Sequence, residues 1–157
     1  MKLRRLASGE NMAEAVGKKV ELRVIAPTMA TDKSPYKFNK PVDMVIMRCS
    51  TGDIGILPNR MPISMVLGNG VLRIFDEDEE RHMAILGGVA HAGDNIITIL
   101  SDAAYKSDEI DAGKISGQMA EFRRLMDETA DLGEKQKYRD DIHRMQVQLD
   151  VAGAEVK

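Results

Sequence analysis

The stretch Thr51-Gly-Asp-Ile-Gly-Ile-Leu-Pro-Asn-Arg-Met-Pro62 decides the fold. Two glycines, two prolines and an aspartate alternate there with Ile54, Ile56 and Leu57. That pattern reads as a turn, a short inward-facing strand and a second turn, the corner of an all-β unit. The flanks agree. Val20-Glu-Leu-Arg-Val24 alternates apolar and polar residues, as a half-buried strand does. Val42 to Cys49 is rich in Val, Ile and Met and reads as a strand, while Thr28 to Pro41 reads as a loop. Ile63–Leu67 and Val71–Phe75 are two further strands separated by Gly68-Asn-Gly70, a turn signal. The acidic run Asp76 to Glu80 is a solvated turn. Met83 to Ala90 carries Gly87-Gly88 in mid-strand, where glycines mark a bulge or a close backbone approach. Gly93-Asp-Asn95 turns the chain into Ile96–Leu100. Short strands punctuated by Gly and Pro indicate a sandwich or barrel.

At about Ser101 the composition changes. Ile110, Ile115, Met119, Phe122 and Met126 recur at helical spacing, with Ser107 or Asp108 expected as N-cap. Asp131-Leu-Gly133 interrupts the pattern, and Tyr138, Ile142, Met145 and Leu149 resume it. Two amphipathic helices on a short loop form an antiparallel hairpin. Each apolar stripe is narrow, so the pair is expected to close mainly on itself and to dock lightly.

Composition excludes several functions. The 157 residues carry a formal net charge of −3, no Trp, and only three Tyr and three Phe, which argues against a nucleic-acid surface. A lone cysteine, Cys49, excludes an intramolecular disulfide. His82, His91 and His143 have no Cys or carboxylate at metal-ligand spacing, so no metal site is expected. No nucleophile elbow, zinc helix or phosphate loop is present, and no catalytic residues are assigned. No apolar run approaches the roughly 20 residues of a membrane span.

The corner from Thr51 to Pro62 resembles the turn-and-loop signature of the epsilon subunit of F-type rotary ATP synthases. Leu22-Arg-Val-Ile-Ala-Pro27, Leu86-Gly-Gly-Val89, Asn95-Ile-Ile-Thr-Ile-Leu-Ser-Asp-Ala103, Glu109-Ile-Asp111 and Arg144-Met-Gln-Val147 resemble further family segments in the family's order. The resemblance covers roughly Val20 to Val151. It implies an α+β chain: a ten-stranded β-sandwich over residues 20–104, then an antiparallel two-helix hairpin over 105–157. Residues 1–19 form an extension, read as a short amphipathic helix, a tag remnant or an alternative start preceding Met12.

The family implies a non-catalytic rotor subunit that couples the gamma subunit to the c-ring. Its hairpin can extend toward the alpha and beta subunits and restrain ATP hydrolysis. Carried onto this sequence, the ring-facing residues are Ser50, Thr51 and Asp53, then Pro58, Asn59 and Arg60. Asp53 would pair with a basic c-subunit loop or stabilise its own turn. Arg123, Arg124, Lys135, Lys137, Arg139 and Arg144 would face the catalytic head, or form a solvated mixed-charge face with Asp140 and Asp141. Some members bind ATP through Ile-Asp-x-x-Arg-Ala. Here Ile110, Asp111 and Lys114 keep the charge but lose the guanidinium fork, leaving at most weak ATP binding and no cofactor. The implied location is peripheral, on the cytoplasmic face of a bacterial plasma membrane, reached only through the complex. The alternative is a free-standing module of sandwich and hairpin that binds another protein.

Overall fold

The structure, a computed structural model, describes residues 19–26 and 35–154. The expectation for the N-terminal extension therefore lies outside the described residues, apart from Lys19. Eight strands come first: β1 (Val20–Ile25), β2 (Tyr36–Val42), β3 (Met44–Cys49), β4 (Gly52–Ile56), β5 (Ile63–Asp76), β6 (Glu79–Gly93), β7 (Ile96–Leu100) and β8 (Ala103–Lys106). A 3-10 turn, Ser107–Glu109, leads into helices α1 (Ala112–Glu128) and α2 (Leu132–Ala154).

The hydrogen-bonded order is β2-β1-β7-β6-β5-β3-β4, with β8 also on β6. β5 and β6 are 14 and 15 residues long, and each passes through both layers of a sandwich. Near Ile63–Leu67 and Val89–Gly93 they pair with each other beside β7, β1 and β2. Near Asn69–Asp76 and Glu79–Leu86 they pair again, flanked by β8 on one side and β3 and β4 on the other. Counting each long strand once per layer turns eight strands into the ten expected.

Gly68-Asn-Gly70 is consequently no turn. β5 runs through it, with Leu67 opposite Gly88 and Asn69 opposite Leu86. Its glycines serve a crossing instead: a Cβ on Gly70 would stand 2.4 Å from Arg48 Cβ on β3. The matching point on β6 is Gly87-Gly88, where the strand leaves β8 for β7. Gly88 has φ +114° and sits so close to β7 that an added Cβ would be 2.1 Å from Leu100 O. The buried Ser101 hydroxyl lies within reach of Gly87 O (2.9 Å) and Ala103 O (2.7 Å) at this junction.

Two other expectations are corrected. Residues 36–41, read as loop, belong to β2, an antiparallel partner of β1, and residues 28–34 of that loop reading lie outside the described residues. The Lys and Pro content of β2 is that of an edge strand, where a missing N–H breaks no ladder. Helix α1 is capped not by Ser107 or Asp108, which lie in the 3-10 turn, but by Asp111, whose Oδ1 accepts from Lys114 N at 3.1 Å. β8 continues to Lys106, slightly past the composition change that marked the end of the sandwich.

One core lies between the layers, built from residues such as Leu22, Val45, Met47, Leu72, Ile74, Met83, Ile97 and Ile99. A second, smaller cluster joins Ala84 and Leu86 of β6 to Val147 and Val151 of α2, with Val71, Ala103, Tyr105 and Ile110 around it. Met83 and Ile85 face the main core, whereas Ala84 and Leu86 face out and are buried by α2. The hairpin thus lies folded on the outer face of the second layer.

α2 carries two apolar faces. By helical geometry, Val147 and Val151 lie about 170° around the axis from Tyr138, Ile142, Met145 and Leu149. The second set is the stripe legible in the sequence, and it meets α1, where the rings of Phe122 and Tyr138 stand 5.8 Å apart. The first set meets the sheet through Val147 and Val151, the two buried residues of α2 among those described.

Candidate functional site

Ser50 and Thr51 form the tight turn between β3 and β4, and Gly52 follows with φ +128°. Asp53 sits opposite Arg48 on β3 and pairs with it, Arg48 Nε to Asp53 Oδ1 at 2.8 Å, with both side chains about half exposed. Pro58, Asn59 and Arg60 occupy the loop after β4. Asn59 takes a positive φ of 61°, and its N–H donates to Asn95 Oδ1 at 2.9 Å. Arg60 Nη1 donates back to Gly55 O at 3.0 Å. Leu57 and Met61 flank these residues, exposed by 58% and 82%. The two predicted groups therefore lie at opposite ends of β4, about 17 Å apart along the strand. β4 ends the hydrogen-bonded order and is an edge, so a partner reaches both groups by lying along it.

A feature the sequence reading missed lies on the outer face of the first layer. Val66, Val89 and Leu100 are direct cross-strand neighbours, and Ile25 of β1 is the next partner of Leu100. Val66, Val89 and Leu100 are exposed by 61%, 48% and 48%. This is an apolar row across four adjacent strands, on the layer that neither described helix covers. Strand alternation alone could flag each residue, but only the register lines them up. One row over, His91 Nδ1 stands 2.7 Å from Ser64 Oγ, an ordinary cross-strand pair.

The cations of the hairpin do not form one stripe. Arg124 is held by Glu121 and Glu128, which raise its already high pKa, and its hydrogen bond in turn lowers that of Glu121. Arg139 donates to Gln136 Oε1 and Arg123 lies against Met119 Sδ. Lys135, Lys137 and Arg144 make no ion pair among the described residues. By helical geometry Lys135 and Arg139 share one side of α2, and Lys137 and Arg144 share the opposite side. Asp111 is occupied as the α1 cap, Ile110 packs in the second cluster, and Lys114 is exposed.

Cys49 is buried beside Met65, its Sγ 3.2 Å from Met65 Sδ, and burial, then the Asp53 charge, push its thiol pKa up, which disfavours the thiolate. His82 stands 2.8 Å from Glu80, whose pKa is lowered chiefly by that hydrogen bond and then by Arg73. Among the described residues no group of His, Cys, Asp and Glu is placed to hold a metal, and no helix is long and apolar enough to cross a membrane.

Comparison with known proteins gives this geometry its context. Residues 21–107 match the family described as ATP synthase, Delta/Epsilon chain, beta-sandwich domain. The chain is 35% identical over 115 residues to the ATP synthase epsilon chain of a Synechococcus species, spanning 73% of this chain and 79% of that one. It is 40% identical over 74 residues to the chloroplastic epsilon chain of Lotus japonicus, spanning 47% of this chain and 56% of the relative. A chain in the Euglena gracilis mitochondrial ATP synthase structure (OSCP/F1/c-ring) matches with TM-score 0.66 at 19% identity, covering 88% of this chain and 82% of that one. A chain of the Tetrahymena thermophila mitochondrial ATP synthase central stalk and c-ring matches with TM-score 0.55 at 14% identity, over 86% of this chain and 97% of that one. At these identities the structural likeness establishes the fold.

Proposed function

The chain belongs to the family of ATP synthase delta/epsilon chains as a non-catalytic epsilon-type subunit, and from that premise we propose that its sandwich couples the gamma subunit to the c-ring. The observation that carries this reading is the row of exposed Leu100, Val89 and Val66, continued by half-buried Ile25. It is the one outer sandwich face that α2 leaves open, and apolar area of this kind forms the centre of protein interfaces. Gamma is assigned to that face. The c-ring is assigned to the β4 edge with its two end loops, where a basic c-subunit loop would compete with Arg48 for Asp53. The complex would sit on the cytoplasmic face of a bacterial plasma membrane.

The experiment is co-elution with a cognate gamma subunit on a sizing column. A stable one-to-one complex that is lost in Val66→Asp, with the thermal midpoint unchanged, supports the reading. Two folded proteins that never associate would favour a free-standing interaction module using the same row.

The hairpin is proposed to restrain ATP hydrolysis when it leaves the sandwich and its cations approach acidic segments of the alpha and beta subunits. Lys135, Lys137 and Arg144, free of ion pairs among the described residues, are the candidates supported best, and added salt should weaken their contact. A chain ending at Lys106 that inhibits hydrolysis as well as the full chain would refute this role. ATP is not proposed as a ligand.

A further inference from the structure

β2 carries one residue more than the stretch of β1 it faces. Val24 pairs with Phe38 and Ile25 with Tyr36, so Lys37 is the extra, bulged residue. Bulges re-aim side chains, and this one delivers the Lys37 ammonium to Glu109 Oε1. The Lys37 side chain is only 9% exposed there, unusual for a lysine on an edge strand.

Glu109 ends the 3-10 turn that joins the sandwich to the hairpin. Its second oxygen, Oε2, accepts from Lys106 N at 2.8 Å, the last residue of β8. Each oxygen of one carboxylate is therefore bound to a different strand, one from each layer. The next residue, Ile110, packs with the cluster of Val147 and Val151, and the one after it caps α1. Glu109 is the pivot through which the hairpin leaves the sandwich.

We infer that Lys37 and Glu109 form a latch: the β2 bulge holds the pivot in the orientation that lays α2 on the sandwich, and loss of the pair frees the hairpin without unfolding the sandwich. An exposed ion pair would contribute little. Here the Lys37 side chain is largely covered while Glu109 is 33% exposed, and the docking face it supplements has only two buried residues of α2, so the pair carries weight in that local equilibrium. Lys37 thereby positions the hairpin through Glu109. Only the regulatory consequence rests on the inhibitory role proposed above.

The test is amide hydrogen exchange on the full chain carrying Lys37→Met, Glu109→Gln, or the swapped pair Lys37→Glu with Glu109→Lys. Gln retains an acceptor for Lys106 N, which separates the ion pair from the turn. The latch predicts exchange in residues 112–153 faster by roughly tenfold in both single variants, unchanged exchange in β1 and β7, and substantial recovery in the swap. Unchanged hairpin exchange in the single variants, equal acceleration throughout the chain, or a swap no better than the singles would overturn it. Faster hairpin exchange with unaltered ATP hydrolysis by the assembled complex would keep the latch and refute the inhibitory role instead.

Discussion

Replacing Val151 by alanine should release the hairpin and spare the sandwich. Val151 is fully buried, in a cluster with Ala84, Leu86 and Val147 that shares no buried residue with the core between the layers. The substitution removes two methyl groups, worth about 1.6 kcal/mol by transfer, and a small cavity term brings the cost to about 2 kcal/mol. Alanine is also the better helix former, so α2 itself is not weakened. The whole cost falls on docking and shifts the docked–undocked equilibrium about thirtyfold. Hydrogen exchange read by mass spectrometry should show that acceleration across α1 and α2 and none in β1 or β7. Ile97→Val, in the main core, is the control: it should cost about 1 kcal/mol and lower the stability of the sandwich itself. If Val151→Ala accelerated exchange equally in β1 and β7, hairpin and sandwich would be one cooperative unit and the division into two clusters would be physically empty.

Gly88→Ala places a Cβ against Leu100 O with φ at +114°, and should lower sandwich stability by at least about 3 kcal/mol in urea unfolding. Asp111→Ala removes the α1 cap and should cost about 1 kcal/mol of hairpin stability, seen as loss of helical circular dichroism on gentle heating. Glu80 titrates below its ordinary 4.5 in the folded chain because His82 and Arg73 hydrogen-bond its carboxylate. The stability it contributes is complete above that value and is lost as the pH falls through the lower folded pKa, so Glu80→Gln should flatten the acid limb of the stability curve there.

The corner from Thr51 to Pro62, the strands around it and the two-helix end were legible because each obeys a local rule: turn residues at fixed places, alternation with period two, apolar residues at helical spacing. Family membership was legible for the same reason, as an ordered set of such segments. Gly68-Asn-Gly70 shows where local rules fail. Glycines permit a turn and permit a close crossing equally, and only the approach of Arg48 on β3 selects the crossing. The loop reading of residues 36–41 failed because an edge strand needs only one hydrogen-bonding neighbour and tolerates Lys and Pro. The apolar row of Ile25, Leu100, Val89 and Val66, the second face of α2, and the meeting of Lys37 with Glu109 join residues from separate strands and helices. The chain alone determined which residues are apolar, charged or turn-forming. Register, a bulge and the docking of one helix decided which of them meet, because those depend on contacts between segments far apart in sequence.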